Sequence, residues 1–238
     1  MLGVGDCARV RSERGVGRLN DIKLLLGDCF DVFPTLTEQY GLWFSDPPWN
    51  QKKDYGAMTD DDLPIEQYTE RMRRVVEWGR KHTDNRIALL VGSKLTHLFW
   101  DLLPEARHIV IKKGAIATPT PDMFYRQFAS LLVTAKPYER CHDLWDGLRF
   151  PGEGYYFREP RYPHPGLTSL KMTKRVLRYF SKPGDTIVDL FAGTGTTAVA
   201  CIEMSRNFVG CEINPEYFAI AQKRIADAQK QMTMDLTQ

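Results

Sequence analysis

Two short segments combine residue types whose spacing suits chemistry on a nucleoside. The first is Ser45-Asp46-Pro47-Pro48-Trp49-Asn50, directly after the apolar run Leu42-Trp43-Phe44. Two prolines stop a strand and fix φ, so the backbone carbonyls of Asp46 and Pro47 are held rigid and kept out of a ladder. The segment therefore offers a carboxylate, a fixed carbonyl and a large aromatic face. A Pro-Pro surface turn with a packing Trp would have the same sequence.

The second segment is Asp189-Leu190-Phe191-Ala192-Gly193-Thr194-Gly195-Thr196-Thr197, a strand running into a Gly-rich turn that opens a helix. Its glycines let backbone approach a ligand, and a helix N-terminus offers unpaired N–H groups. Glu212 lies at the end of the next predicted strand, where a carboxylate can accept hydrogen bonds from both ribose hydroxyls of an adenosine. The pattern reads as a nucleoside cofactor site. On spacing alone a nicotinamide dehydrogenase fits as well, and so does a plain glycine turn.

The elements that must position these segments follow from the apolar pattern. Ile22–Leu26, Gly41–Phe44, Ile87–Val91, His108–Ile111, Ser130–Thr134, Thr186–Leu190 and Phe208–Cys211 have the length and composition of buried strands, seven in all. Ile65–Lys81, Lys94–Leu103, Ser169–Phe180, Thr196–Met204 and Pro215–Gln229 carry apolar residues at helical spacing. Strand alternating with helix predicts one α/β domain over 21–230, a mostly parallel sheet with helices on both faces. Residues 1–20, rich in glycine and arginine, read as a mobile basic arm, and 231–238 as a C-terminal tail.

The chain has 238 residues, 43% hydrophobic and 26% charged. That composition excludes disorder over most of the length. No apolar run is long enough for a membrane span and the N-terminus does not look like a secretory signal, so a soluble, cytoplasmic protein with no membrane partner is expected. The five cysteines lack C-x-x-C spacing, which disfavours zinc or a disulfide framework; no metal is expected. Lys and Arg number 32 against 30 Asp and Glu, a net +2, but 104–182 carries 14 against 7. A basic middle fits a polyanion such as nucleic acid, and equally ordinary solvated surface.

Together the two segments resemble those of the amino-methyltransferases that use S-adenosylmethionine to modify the exocyclic amine of adenine or cytosine. Asp46-Pro47-Pro48-Trp49 is similar to their catalytic motif and Phe191-Ala192-Gly193-Thr194-Gly195-Thr196-Thr197 to their cofactor motif. Catalytic motif first and cofactor motif last resembles the circularly permuted β group of bacterial and phage enzymes. Leu26-Gly27-Asp28-Cys29, Pro183-Gly184-Asp185 and Glu212-Ile213-Asn214-Pro215-Glu216-Tyr217 extend the likeness, which covers about Ile22 to Ala228.

The resemblance implies a Rossmann-like class I methyltransferase fold and a site for S-adenosylmethionine. Cofactor contacts would come from Asp28, Cys29, Asp46, Asp189, Phe191, Ala192, Gly193, Thr194, Gly195, Thr196, Thr197, Glu212 and Ile213, and catalysis from Asp46, Pro47, Pro48 and Trp49. Substrate contacts are expected from Asn50, Lys52, Lys53, Tyr55 and His164. The implied reaction is methylation of the N6 amine of adenine in DNA, with N4-cytosine in DNA, N6-adenine in RNA and an inactive nucleic-acid-binding homologue as alternatives. Trp49, with Tyr55, Met58 and Asp61 beyond it, is similar to the Asp-Pro-Pro-Trp adenine family that acts largely on RNA.

Two departures matter. Where the family commonly has His-Pro followed by a Thr-Glu-Lys-Pro-like stretch, His164-Pro165 is followed by Gly166-Leu167-Thr168-Ser169, so the usual lysine is missing. Between Pro137 and Arg161 there is room only for a short loop, and 137–168 is the stretch expected to help recognise a target. A homodimer or a second subunit would be one way to complete that recognition. No cysteine follows a proline, which excludes the covalent chemistry of cytosine C5 methylation.

Overall fold

The computed structural model describes residues 20–52, 61–112, 128–145 and 168–235. The expected basic arm at 1–19, Lys53, Tyr55 and His164 lie outside the described residues, as does 146–167, most of the expected recognition loop.

Fourteen elements follow in order: β1 (Ile22–Leu26), α1 (Cys29–Val32), β2 (Leu42–Ser45), α2 (Ile65–His82), β3 (Ile87–Val91), α3 (Thr96–Leu102), β4 (Arg107–Lys112), β5 (Phe128–Val133), β6 (Leu144–Trp145), α4 (Leu170–Phe180), β7 (Thr186–Asp189), α5 (Thr196–Glu203), β8 (Asn207–Glu212) and α6 (Pro215–Asp235). Short 3-10 turns at Phe33–Thr35 and Ser93–Leu95 complete the set. The strands form one sheet in the order β1-β8-β7-β2-β3-β5-β4-β6. From β1 through β3 all pairings are parallel; β5 runs antiparallel to both β3 and β4, and β6 is parallel to β4.

The α/β class and the mostly parallel sheet agree with the sequence reading, but the sheet has eight strands among the described residues rather than seven. The addition is β6, which pairs Leu144 with Val110 and Trp145 with Ile111 inside a stretch read as loop. Two residues cannot display an alternation. The four-residue α1 is invisible for the same reason, and the single helix expected over Lys94–Leu103 is a 3-10 turn followed by α3. Helix α6 runs beyond Gln229 to Asp235.

Period-two alternation sends successive strand residues to opposite cores. On β3, Ala88 and Leu90 join one core, and Ile87, Leu89 and Val91 the other. The first core is closed by Met172, Val176 and Leu177 of α4, Cys201 of α5 and Ala221 of α6. The second takes Val32 of α1, Met72 and Val75 of α2 and Phe99 of α3. Helices α1 to α3 thus cover one face and α4 to α6 the other. No helix among the described residues is long and apolar enough to cross a membrane.

β7 is the pivot. The chain leaves it for β8 on one side, whereas β2 lies on the other. In an open parallel sheet, ligands bind in the crevice beyond the carboxyl ends of the strands where the winding direction changes. Both sequence segments lie there, one after β2 and the other after β7.

Candidate active site

At the carboxyl end of β7, Asp189 is 3% exposed and fully engaged within the protein. Its Oδ1 accepts from the Ser45 hydroxyl at 2.7 Å and the Phe191 N–H at 3.0 Å; its Oδ2 accepts from Thr197 Oγ1 at 2.6 Å. Burial pushes its pKa up, and the hydrogen bonds from Thr197, Ser45 and Phe191 oppose that. Ser45 also accepts from Trp43 Nε1 at 2.9 Å and from the Leu190 N–H at 3.1 Å. One hydroxyl at the end of β2 and one carboxylate at the end of β7 therefore weld the starts of the two segments together.

The glycine turn follows. Gly193 and Gly195 have φ of 52° and 80°, the left-handed region that favours glycine. The Ala192 N–H donates to the Cys211 carbonyl at 2.9 Å, so the turn leans on the end of β8. There Glu212, 8% exposed, accepts the Gly193 N–H at 2.7 Å on Oε2 and the Asn214 N–H at 2.8 Å on Oε1. Burial raises its pKa against those two bonds. Phe191, Gly193 and Ile213 remain half-buried around this carboxylate, whereas Ala192 is buried.

The threonines of the motif point elsewhere. Arg224 of α6 donates through Nη1 to the Thr194 carbonyl at 2.7 Å, to Thr194 Oγ1 at 2.9 Å and to Thr196 Oγ1 at 3.1 Å, and Thr197 is held by Asp189. The hydroxyls of all three hold the turn to α6 and β7. Arg224 had no signal in the sequence beyond being a helix arginine.

β1 pairs with β8 so that Leu26 faces Glu212 in register, and the Gly27 N–H donates to the Glu212 carbonyl at 2.9 Å. Asp28 and Cys29 are thereby brought beside the Glu212 end of the crevice. Asp28 caps α1 by accepting the Phe30 N–H at 2.9 Å and pairs with Arg71 of α2 at 3.6 Å. The Arg71 guanidinium also lies 4.1 Å from the Phe30 ring centroid, with Arg74 at 5.0 Å. Cys29 is buried in the core, and burial together with the neighbouring Asp28 raises its thiol pKa far above the ordinary value. Further along α2, Arg80 forks onto Glu105 with both contacts at 2.9 Å, and Arg73 pairs with Glu70 on the exposed face of the helix.

Beyond β2, Asp46 Oδ2 accepts from Thr168 Oγ1 at 2.9 Å. Pro47 is buried and Pro48 half-buried, and the Pro48 carbonyl accepts from the phenol of Tyr68 at 2.7 Å. Trp49 packs against Gly92 at the end of β3. Asn50, expected to meet substrate, clasps the backbone of Leu63: Nδ2 donates to its carbonyl and Oδ1 accepts its N–H, both at 2.8 Å. Lys52 forms an exposed ion pair with Asp62 at 3.1 Å, and its N–H donates to the Asp61 carbonyl at 2.8 Å. Asn50 and Lys52 both have left-handed φ, 50° and 58°, which folds the segment back onto Asp61–Leu63.

Thr168, Tyr68 and Gly92 escaped sequence reasoning. Each acts on the Asp46–Trp49 segment from an element far away in the chain, and only the folded sheet brings them there. Among the described residues, no cluster of His, Cys, Asp and Glu could hold a metal ion.

The N6/N4 methyltransferase family model, described as DNA methylase, matches residues 117–223. The type II methyltransferase M.HpaI of Haemophilus parainfluenzae is 24% identical over 235 residues, covering 86% of this chain and 74% of that protein. The DNA adenine methyltransferase YhdJ of Escherichia coli is 36% identical over 83 residues, 35% of this chain and 27% of that protein. Among solved structures, the M1.HpyAVI–SAM complex superposes with a TM-score of 0.63 at 20% identity, covering 86% of this chain and 98% of that one.

Proposed function

We propose that the chain, similar over residues 117–223 to the N6/N4 DNA methylase family, transfers a methyl group from S-adenosylmethionine to the exocyclic N6 amine of adenine in DNA. The observation that carries the reading is the Ser45–Asp189 hydrogen bond, which joins an Asp-Pro-Pro-Trp segment to a glycine turn beside a buried carboxylate, Glu212.

The residues present fit that cofactor. Glu212 is held at the end of β8 as an acceptor for a ribose diol, and Gly193, whose N–H it accepts, leaves the turn beside that carboxylate without a side chain. Asp28, Cys29, Phe191 and Ile213 border that end, Cys29 offering its backbone because its side chain is buried. When bound, S-adenosylmethionine supplies an electrophilic methyl group on a sulfonium.

The chain's own residues then handle the nucleophile. An adenine amine is a poor one because its lone pair is delocalised into the ring. The Asp46 carboxylate and the Pro47 carbonyl each accept one amine N–H, drawing the nitrogen toward tetrahedral geometry and aiming its lone pair. Rigid acceptors supply rate through orientation, and proline lacks the freedom to turn away. As the N–C bond forms and the S–C bond breaks, one N–H proton becomes acidic and passes by way of Asp46 to water. Trp49 stacks on the flipped base, worth about 1–3 kcal/mol, against an unstacking cost of a few kcal/mol. The basic stretch 104–182 supports a DNA partner, and a second copy or subunit is part of the proposal because the stretch between Pro137 and Arg161 leaves room only for a short recognition loop.

The second reading is N4 methylation of cytosine in DNA, favoured by the family description, which covers both amines; adenine is preferred for the likeness to YhdJ and for the larger face it offers Trp49. One assay separates these readings from RNA methylation and from an inactive homologue. DNA and RNA are incubated separately with the protein and S-adenosylmethionine, and modified nucleosides are quantified by mass spectrometry. N6-methyladenine in DNA is expected. Its absence, or N4-methylcytosine in its place, overturns the proposal.

A further inference from the structure

We propose that Thr168 is a positioning residue for Asp46, setting the plane of the catalytic carboxylate from across the fold. The proposal rests on the reading of Asp46 as the acceptor of an amine proton. The Thr168 hydroxyl donates to Asp46 Oδ2 at 2.9 Å, between residues 122 positions apart.

A carboxylate on a short side chain rotates in a broad well about its last torsion, so backbone rigidity at Asp46-Pro47-Pro48 does not by itself aim its oxygens. A donor fixed elsewhere does. Thr168 is suited to this because a β-branched side chain is stiff at χ1, so its hydroxyl is placed once its backbone is placed. That backbone leads directly into α4. Ser169 is the N-cap residue of α4, with the Thr173 N–H donating to its carbonyl at 2.9 Å, and Met172, Val176, Leu177 and Phe180 are all buried in the core. The hydroxyl is therefore referenced to a helix anchored in the core on that face of the sheet.

The opposite end of the same segment is fixed in the same way, by Tyr68 of α2 on the Pro48 carbonyl. Asp46 and Pro48 are thus gripped from elements on opposite faces of the sheet, with the Pro47 carbonyl between the two grips. Thr168 also stands where the resembled family commonly has a lysine.

Three variants of the full chain test the assignment with S-adenosylmethionine and duplex DNA. Thr168→Val is expected to lower kcat by about tenfold or more, the usual consequence of losing a hydrogen bond to a charged group, with cofactor affinity by calorimetry within about twofold of wild type. Thr168→Ser is expected to recover most of the rate. In an Asp46→Ala background, Thr168→Val is expected to cost nothing further, because the two residues act as one unit. Wild-type kcat in Thr168→Val, lost cofactor affinity at unchanged kcat, or full additivity with Asp46→Ala would each overturn the role. Should Thr168→Val fail to fold, Thr168→Ala removes the hydroxyl without adding bulk and is read the same way. A wild-type chain that methylates no base overturns the functional reading and this inference with it, whereas an active wild type beside an unaffected Thr168→Val overturns the positioning role alone.

Discussion

Gly92 lies flat against the indole of Trp49: a β-carbon on Gly92 would sit 2.9 Å from Cε3 and 3.0 Å from Cδ2 of the ring, and 3.1 Å from Nε2 of Gln51. Gly92 has φ of −66°, which any residue adopts, so backbone strain plays no part here. Gly92→Ala must therefore displace Trp49 itself. Steady-state kinetics on duplex DNA should show kcat/KM down by about tenfold or more, since small misplacements of a reacting group are costly, with cofactor affinity by calorimetry unchanged. An alanine variant as active as wild type would mean that Trp49 does not contact the base.

Tyr68→Phe removes one oxygen and leaves the Pro48 carbonyl without the donor now 2.7 Å away. Tyr68 is 2% exposed, and little water can substitute. Urea denaturation should give a loss of about 1–3 kcal/mol, and methylation should slow severalfold as the segment loosens. Loss of stability at full activity would assign Tyr68 to the core alone.

Cofactor binding should weaken in acid through Glu212. Burial raises the pKa of this carboxyl above its ordinary value of 4.5 in the folded protein. The folded protein thus takes up its proton at a higher pH than an exposed carboxyl would, and a protonated carboxyl is a poorer acceptor for two ribose hydroxyls. Calorimetry across a pH series should show affinity falling as pH drops through that raised value. Glu212→Gln should lower the affinity and abolish the pH dependence in that window. A variant with the same acid dependence as wild type would place the titrating group elsewhere.

Gly195→Ala is expected to be among the costlier single changes to the turn. Gly195 has φ of 80°, and an added β-carbon would lie 2.9 Å from Cβ and 3.2 Å from Cα of Ala221 on α6. The left-handed conformation alone costs an L-residue about 1–2 kcal/mol, and the close approach adds to it. Denaturant titration should show at least about 2 kcal/mol lost. A smaller loss would mean that α6 gives way.

The sheet was largely legible because seven strands are long enough to show apolar runs, and both motif segments follow strands that the pattern located. Residues Asp46, Gly193 and Glu212 stood out in the sequence because their types, at the ends of strands, have few alternative uses. The partners that the threonines and Asn50 take in the fold were not legible, for one physical reason. A hydroxyl or amide in a glycine- or proline-rich segment can face a ligand or tie the turn together, and the choice depends on partners such as Arg224 and Leu63 that come from other elements. Thr168, Tyr68 and Gly92 carried no pattern at all, since a threonine before a helix, a tyrosine on an apolar helix face and a glycine after a strand are commonplace.

The strand order also dictates when the crevice can come into being during synthesis. Among the described residues β1 is the first strand in chain order, and its neighbour in the sheet is β8, the last in chain order. β2 likewise waits for β7 on one side, and the bond from Ser45 to Asp189 spans 144 positions. A nascent chain halted anywhere before Asn207 holds Asp28 and Asp46 with no Glu212 to complete the crevice, and β1 meanwhile exposes an unpaired edge. Assembly of the crevice from Asp28, Asp46 and Glu212 is consequently a late event in synthesis.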